Sequence, residues 1–427
     1  MSARLDALAA AHVAGRPAGI TSVCSAHRLV IEAALRQGLA DRSPVLIEAT
    51  SNQVDQFGGY TGLTPADFRT MVEEIAGRVG FPREDLLLGG DHLGPHGWRH
   101  EDSETAMSRA EDLVRSYVAA GYTKLHLDCS YPCADDRGAL AGDVMAARAS
   151  RMLQAAEAEA ARVGLAGELR YVIGTEVPVP GGADHEITRL RPTTAASARA
   201  TLDQHRTAFA AVGHEDVWPQ VMALVVQPGV EFDHVRVFDY DSEATHSLRT
   251  VLDDEPTLVF EAHSTDYQSP AALAALVADG WGVLKVGPGL TFAMREALFA
   301  LDAIEAELFP AEERSQLADV VEGRMLAHPE HWQGYYTGTA EEQALARRYS
   351  YSDRMRYYWP DQEIEAAVRR LFENLTRRNP PDPLLSAFLQ MQYERVREGR
   401  LGRSPQELVI DRVRDVLRTY AAAVIPS

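Results

Sequence analysis

Short apolar runs rich in β-branched residues recur eight times along the first two thirds of the chain, and segments with helical spacing separate them. Segments such as "PADFRTMVEEIAGRVG" begin near Ser, Thr or Pro and end on Gly, which are signals for helix starts and stops. Alternating strands and helices predict a parallel sheet, and eight such units predict a (β/α)8 TIM barrel. The predicted strands are residues 20–23, 45–47, 86–88, 124–127, 169–173, 221–226, 257–260 and 282–286.

A doubly wound open sheet is the alternative architecture for such a pattern. It predicts a glycine-rich fingerprint after the first strand, and the sequence "VCSAHRLV" has none. Beyond residue 310 the pattern changes to helical segments that mix basic and acidic residues. We therefore expect a barrel over residues 1–310 and a helical C-terminal extension, packed on the barrel, over residues 311–427.

Charge and cysteine content exclude several classes of partner. The formal net charge is -20, with 62 acidic against 42 basic residues and no run of Lys or Arg that could track a phosphate backbone, so nucleic acid is not expected as a partner. No uninterrupted apolar stretch is long enough to cross a membrane. The three cysteines form neither a C-x-x-C pair nor a disulfide framework, which predicts a cytoplasmic protein.

Polar side chains follow all eight predicted strands, at the end of a barrel where enzymes carry their chemistry. Buried polar groups cost stability unless they bond a ligand or one another, so their convergence at one barrel face predicts a site. The strand-end residues of interest are Glu48, Asn52, Asp91, His92, Asp128, Glu176, Gln227, His263, Asp266 and Lys285.

The loop "GGDHLGPHGW" after the third run holds two histidines, His92 and His96. Gly94 and Pro95 lie between them, so the two cannot be placed on one helix face and a metal would need ligands from other strands. His263 is the expected partner of His92, because opposite strand ends converge across the mouth of a small barrel. Two imidazoles and a carboxylate suit zinc or a similar divalent ion that acts as a Lewis acid. The alternative is that these groups bond one another or a substrate without metal.

The segment "KVGPGLTFAMREALF" after the last strand is typical of a phosphate cradle. Gly287 and Gly289 let the backbone approach an oxyanion, and Thr291 would cap the following helix, whose N–H groups face the ligand. A tight turn between strand and helix is the alternative interpretation. In "YSYSDRMRYYWP", Arg354 and Arg356 with the neighbouring aromatic residues could clamp an anionic sugar, although packing of the extension on the barrel is the commoner use of such a segment.

With these residues in view, the chain resembles the GatZ/KbaZ family, the so-called non-catalytic subunits of class II D-tagatose-1,6-bisphosphate aldolase. The motifs that carry the resemblance span nearly the whole chain: "IEATSNQVDQFGGYTGLTP", "GGDHLGPHGW", "LHLDCS", "GTEVPVPGG", "FEAHSTDYQ", "LKVGPGLTFAMREALF" and "YSYSDRMRYYW". By that resemblance the fold is a barrel related to the class II aldolases.

In catalytic class II aldolases, an Asp-His pair on the third strand supplies the acid/base group and a zinc ligand, and later strands add two zinc histidines. By the resemblance, Asp91 and His92 match the pair and His263 matches the last histidine. The middle histidine has no counterpart at the expected position, because the sixth strand ends with Gln227. This departure is consistent with a role beside a catalytic partner.

The resemblance implies a tagatose-1,6-bisphosphate aldolase subunit of ketohexose (tagatose, galactitol or N-acetylgalactosamine) catabolism, which supports the activity and stability of a catalytic subunit. The alternative is an independent metal-dependent 4-epimerase or aldolase of ketohexoses or their phosphates, working by retro-aldol chemistry. So many polar groups at one barrel face favour retained chemistry. A sugar-phosphate kinase is disfavoured, because the sequence has no P-loop or other nucleotide signature.

For the enzymatic alternative, we expect His92 and His263 to hold a divalent metal, zinc above others, with Glu176 or Asp128 completing the shell. Asp91 would remove or return the proton of the C4 hydroxyl, so Asp91, Glu176 and Asp128 are the catalytic candidates. The expected partners are a catalytic class II aldolase subunit, a sugar phosphate and a second copy of the chain. The candidate substrate-binding residues are Glu48, Asn52, Asp266, Lys285, Gly287, Gly289, Thr291 and Arg354.

Overall fold

A closed barrel of eight parallel strands forms the centre of the computed structural model, which describes residues 2–175 and 190–425. Each strand pairs with the next along the chain, and the last pairs with the first. The (β/α)8 barrel predicted from the sequence is therefore confirmed. The strands are β1 (Ile20–Val23), β2 (Val45–Thr50), β3 (Leu86–Leu93), β4 (Lys124–Leu127), β5 (Arg170–Ile173), β6 (Val221–Val225), β7 (Val259–Ala262) and β8 (Trp281–Val286).

Helices cover the outside of the barrel and make up most of the C-terminal region. Their ends carry the expected caps: Thr64 and Asp67 form a capping box at the start of α3, and Gly80 ends it in the left-handed conformation. Within the described ranges, no helix is both long and apolar enough to cross a bilayer. The helices are α1 (Ser2–Val13), α2 (Arg28–Asp41), α3 (Pro65–Val79), α4 (Ser103–Ala119), α5 (Gly142–Val163), α6 (Ala195–Ala211), α7 (His246–Arg249), α8 (Pro270–Ala278), α9 (Pro288–Leu308), α10 (Leu317–Ala327), α11 (Ala340–Tyr349), α12 (Gln362–Arg377), α13 (Asp382–Phe388), α14 (Gln390–Arg397) and α15 (Pro405–Val424).

Helix α1 closes the amino-terminal end of the barrel, a role that the strand pattern does not predict. Its buried residues Leu5, Leu8 and Ala9 belong to one apolar cluster with side chains from seven of the strands, among them Leu46 and Leu87. This apolar plug seals the floor of the barrel. The polar ends of the strands therefore open only at the opposite, carboxyl-terminal mouth.

The C-terminal region is helical, as predicted, and contacts the barrel along several elements. Helix α15 packs against α2, α8, α9 and β1, and the Tyr420 hydroxyl donates a 2.7 Å hydrogen bond to the carbonyl of Thr265 beyond β7. The 3₁₀ turn Arg354–Tyr357 brings Arg356 and Tyr357 to the barrel mouth. A domain boundary at residue 310 remains a prediction; α9 ends at Leu308 and α10 begins at Leu317.

Strand β3 is longer than the predicted range 86–88, because "GGDHL" continues the strand to Leu93. At its end the chain lies directly against β4: the Asp128 N–H donates to the Leu93 carbonyl at 2.8 Å. A Cβ atom on the next residue, Gly94, would lie 1.7 Å from the Asp128 carbonyl oxygen. Only a glycine therefore allows this close approach, which holds the ends of β3 and β4 together.

Two glycine substitutions in the same loop test this packing. Gly94→Ala should lower the free energy of unfolding by about 2 to 4 kcal/mol, because the new methyl group overlaps backbone rather than a flexible side chain. Gly97→Ala should be nearly neutral, since nothing lies within 4 Å of the position that its methyl group would take. Thermal denaturation of both variants measures the difference in stability. Equal melting temperatures would contradict the assigned contact.

Candidate active site

An open cavity of about 530 Å³ lies at the carboxyl-terminal mouth of the barrel. It brings together residues that follow different strands and residues of the C-terminal region. The lining residues with polar side chains are Cys24, Thr50, Asn52, Gln53, Tyr60, Asp91, His92, His263, Ser264, Asp266, Lys285, Arg356 and Tyr357. Of the predicted site residues, Asn52, Asp91, His92, His263, Asp266, Lys285 and Gly287 line this cavity.

Three histidines and one aspartate form a buried cluster beside the cavity. Asp91, His92, His126 and His263 each offer a ligand atom, and these atoms lie within 4.8 Å of one another. The three imidazole rings meet edge to face, with centroids 4.8 to 5.2 Å apart. None of the four residues is more than 4% exposed. The convergence of His92 and His263 across the mouth is thus observed.

His126 is the member of the cluster that the sequence analysis missed. The third imidazole comes from within β4, not from the end of the sixth strand, where the side chain of Gln227 instead accepts the N–H groups of Gly229 and Val230. A signal for His126 exists in the sequence "LHLD". His126 precedes Asp128 by two positions, and residues two apart on a strand face the same side.

The adjacent residues Asp91 and His92 both reach the cluster, although strand alternation would place them on opposite sides. His92 has a left-handed backbone with φ of 50°, and the register between β3 and β4 shifts between Gly90 and Leu93. Such a conformation is costly for a residue with a side chain and is characteristic of functional sites. The irregularity turns both side chains toward the mouth.

Carboxylates behind the cluster fix the orientation of two imidazoles. His92 Nδ1 lies 2.8 Å from Asp128 Oδ2, and His263 Nε2 lies 3.0 Å from Glu261 Oε1. Such contacts leave the other nitrogen of each ring available, as in metal sites where a carboxylate supports a ligating histidine. Within the described chain, Nε2 of His126 is buried and has no hydrogen-bond partner. Burial, followed by the charge of Lys285, lowers the pKa of both His126 and His263, so these two rings stay neutral.

A layer of charged side chains lies at the centre of the barrel below the cluster. Lys124 Nζ is 2.5 Å from Glu48 and 2.7 Å from Glu261, and Lys285 Nζ is 2.8 Å from Glu261 and contacts Asp91. Burial lowers the pKa of Lys285, but the carboxylates of Asp91, Glu261 and Glu48 outweigh it and raise this pKa well above its usual value. Lys285 is therefore an ammonium ion paired with carboxylates rather than a free amine. Glu48, which the sequence analysis placed among the substrate-binding residues, lies in this charged layer and does not line the cavity.

The predicted phosphate cradle at the start of α9 is filled by a side chain of the protein. Asp266 Oδ1 accepts the N–H groups of Gly287 and Gly289 at 2.9 and 2.7 Å. Thr291 donates to the carboxylate of Asp353 at 2.6 Å. Burial raises the pKa of Asp266 to about 6 despite these two hydrogen bonds. An oxyanion at these amides would have to displace the Asp266 carboxylate.

One further predicted site residue, Arg354, lies outside the cavity wall. Its guanidinium carbon lies 3.3 Å from the centroid of the Tyr335 ring, and its Nε donates to the His331 carbonyl. Its neighbour Arg356 lines the cavity instead. Glu176 lies outside the described residues, and its predicted role remains a prediction.

Comparison with known proteins gives a family and a similar crystal structure. A family model described as D-tagatose-1,6-bisphosphate aldolase subunit GatZ/KbaZ-like matches residues 5–425. The crystal structure of a probable tagatose 6 phosphate kinase from Sinorhizobium meliloti 1021 is 48% identical, with a TM-score of 0.87, and the match covers 95% of this chain and 100% of that one.

Two aldolase structures were also matched at lower similarity. Fructose-bisphosphate aldolase from Campylobacter jejuni has 13% identity and a TM-score of 0.46, over 87% of this chain and 93% of that one. The YdjI aldolase from Escherichia coli K12 has 11% identity and a TM-score of 0.40, over 88% of this chain and 96% of that one.

The carboxyl group of Glu231 behind the cavity predicts a pH dependence of stability. Burial raises the pKa of Glu231 from about 4.5 to about 7, so the folded protein favours its protonated form. The stabilisation from this proton is fully present below pH 4.5 and is lost as the pH rises through 7. Relative to Glu231→Gln, the native protein should lose about 3 kcal/mol of stability over that range.

Denaturation of both proteins between about pH 4 and 8 measures the effect. Glu307→Gln, at an exposed position, is the control and should run parallel to the native protein. Parallel curves for Glu231→Gln as well would show that the carboxyl group has an ordinary pKa.

Proposed function

The chain belongs to the GatZ/KbaZ-like family of D-tagatose-1,6-bisphosphate aldolase subunits, and on that premise we propose that it is itself a metal-dependent enzyme of ketohexose phosphates. The proposed reaction is cleavage of the C3–C4 bond by retro-aldol chemistry. The observation that carries the proposal is the buried cluster of Asp91, His92, His126 and His263, of which all but His126 line the cavity. A cytoplasmic location is part of the same proposal.

The residues of the cluster fit a divalent metal. His92 and His263 each have one nitrogen fixed by a carboxylate, and the buried Nε2 of His126 has no partner among the described residues. Three imidazoles with open positions suit zinc, and neutral rings are the form that binds it. We propose that the three histidines hold the metal, with Asp91 beside them. When bound, the metal supplies Lewis-acid polarisation of a ketose C2 carbonyl and stabilises the negative charge that develops there.

Asp91 is the proposed base for the C4 hydroxyl proton. Burial raises its pKa, but the charges of His92 and Lys285 outweigh this effect and hold the pKa well below the usual value. Asp91 is therefore a carboxylate, with Thr50 donating to it at 3.0 Å and Lys285 in contact. These two donors fix the side chain in the cavity wall, where it can accept a proton from a bound substrate.

Asp128 and Glu261 are proposed as positioning residues. Each contacts the ring nitrogen of a histidine, and Asp128 also accepts the Ser130 hydroxyl at 2.6 Å. Asp128 is thus proposed to orient His92, in place of the catalytic role expected from the sequence. Glu176 is kept as a further catalytic candidate from the sequence alone.

Two outcomes follow from the same bond cleavage. Release of the aldehyde fragment gives aldolase activity, with two triose products. Rotation of a retained aldehyde before the C3–C4 bond forms again gives the 4-epimer. Both reactions need the same proton transfer by Asp91, so the proposed residues support either one. Identification of the products distinguishes aldolase from epimerase activity.

The second candidate function is support of a separate catalytic aldolase subunit, which the family description suggests by the word "subunit". The kinase activity named for the Sinorhizobium meliloti relative is not proposed for this chain. Phosphoryl transfer requires a nucleotide site, and the sequence has no glycine-rich nucleotide signature.

Removal of one histidine tests the metal site. His126→Ala should lose bound zinc and reduce turnover by more than about 100-fold, because it removes one of the three proposed ligands. His100→Ala is the matched control, since this histidine is exposed in the loop after β3 and should keep both metal and activity. Metal content by mass spectrometry and turnover are measured on the same preparations. Unchanged zinc in His126→Ala would remove this residue from the metal site.

Product analysis distinguishes an independent enzyme from a subunit that supports a separate catalytic aldolase. The purified chain alone, incubated with tagatose 6-phosphate, tagatose 1,6-bisphosphate or fructose 6-phosphate, should form either trioses or the 4-epimer, as followed by NMR. A chelator should stop the reaction and added zinc should restore it. Activity that appears only after addition of a catalytic aldolase subunit would contradict the enzymatic proposal and support the subunit role.

A further inference from the structure

Arg356 is a cation at the wall of the cavity to which the described part of the chain offers no ion-pair partner. It lies in the 3₁₀ turn Arg354–Tyr357 of the C-terminal region and lines the cavity together with His92 and His263. Among the described residues, no carboxylate lies within ion-pair distance of its guanidinium group. A largely enclosed cation without a counter-ion is costly, so its presence points to an anionic ligand.

The other cations near the cavity are already neutralised or stacked. Lys285 contacts Asp91 and Glu261. Arg295 is paired with the carboxylate of Asp353 at 3.2 Å. Arg354 lies over the ring of Tyr335 and does not line the cavity. Arg356 is therefore the cation of the described cavity wall that is free to meet a bound anion.

Neighbouring groups hold the guanidinium of Arg356 in place. Its Nη1 donates to the carbonyls of Ser352 and Asp353, and its Nη2 donates to the Tyr357 hydroxyl at 2.9 Å. Asn52, which follows β2, donates to the same hydroxyl at 3.5 Å. The Nε–H group has no partner in the part of the chain that the structure describes. A fixed guanidinium with an unused donor is suited to an oxyanion.

The amides of Gly287 and Gly289 are the competing anion site, and the Asp266 carboxylate fills it. A phosphate there would meet a carboxylate at close range, whereas a phosphate beside Arg356 meets a positive charge. Tyr60 and Tyr357 pack ring against ring, 4.7 Å between centroids, and both line the same cavity. Their hydroxyl groups and the amide of Asn52 are additional polar groups of that wall.

We propose that Arg356, with Tyr357, Tyr60 and Asn52, binds the phosphate group of a phosphorylated ketose. The inference rests on the proposed function and deepens it, since it assigns residues to the phosphate group of the substrate and makes the C-terminal region a part of the active site. The histidine cluster would hold a metal near the carbonyl end of the sugar, and Arg356 would hold a phosphate-bearing end.

Equilibrium binding tests this proposal without relying on turnover. Isothermal titration calorimetry with inorganic phosphate and with tagatose 6-phosphate is carried out on the metal-loaded protein, Arg356→Gln and Arg356→Lys. Arg356→Gln should weaken the binding of both probes about 10- to 100-fold, because it removes charge-assisted hydrogen bonds. Arg356→Lys should bind better than Arg356→Gln, since it keeps the charge without the planar fork. Arg369→Gln, exposed on α12, is the control and should bind as the native protein does.

The outcomes separate this proposal from the proposed reaction. Loss of phosphate binding in Arg356→Gln, with an unchanged melting temperature, supports the inference even if no turnover is found. Unchanged phosphate binding in Arg356→Gln overturns it, and so does the absence of phosphate binding to the native protein. In a kinetic assay, Arg356→Gln should raise KM for tagatose 6-phosphate but not for unphosphorylated tagatose. An equal rise in KM for both sugars would also overturn it.

Discussion

The buried contact between two lysines and three carboxylates at the centre of the barrel is the interaction on which the site depends. Lys124 and Lys285 lie among Glu48, Glu261 and Asp91, and none of these side chains is more than 5% exposed. Removal of one member of such a buried set leaves an unpaired charge and costs about 3 to 5 kcal/mol. Apolar side chains could fill the same space at lower cost in desolvation. The charged layer is therefore explained better by the chemistry above it than by stability.

This charged layer is connected to the histidine cluster through two of its carboxylates, Glu261 and Asp91. Glu261 holds His263, and Asp91 contacts both Lys285 and the ring of His126. Burial, followed by the positive charge of Lys285, lowers the pKa of His126 and His263, so these two rings stay neutral. Neutral imidazoles beside carboxylates favour a divalent cation. One set of contacts thus fixes the geometry of the proposed metal site and its electrostatics.

Periodicity predicted the fold because it is a local property of the sequence. The alternation of apolar runs and helical segments identified all eight strands, and the polar strand ends predicted a site at the mouth, where the structure shows a cavity. His126 was missed because it lies within β4, where an inward-facing polar residue is not distinguished from a strand interior by local pattern. His92 joins Asp91 only through a left-handed backbone and a register shift, which depend on contact with β4.

Interactions between distant segments explain the remaining differences. The sequence was compatible with a phosphate cradle or a tight turn at Gly287 and Gly289, and the carboxylate of Asp266 reaches these two amides from the end of β7. Similarly, the local sequence does not distinguish Arg354 from Arg356. Only the turn that contains both residues places Arg354 against an aromatic ring and Arg356 in the cavity wall.

The most direct test of the proposed metal site is X-ray absorption spectroscopy of the zinc-loaded protein. We predict three imidazole nitrogens at about 2.0 to 2.1 Å from the metal; a spectrum with one imidazole or none would contradict the proposed metal site.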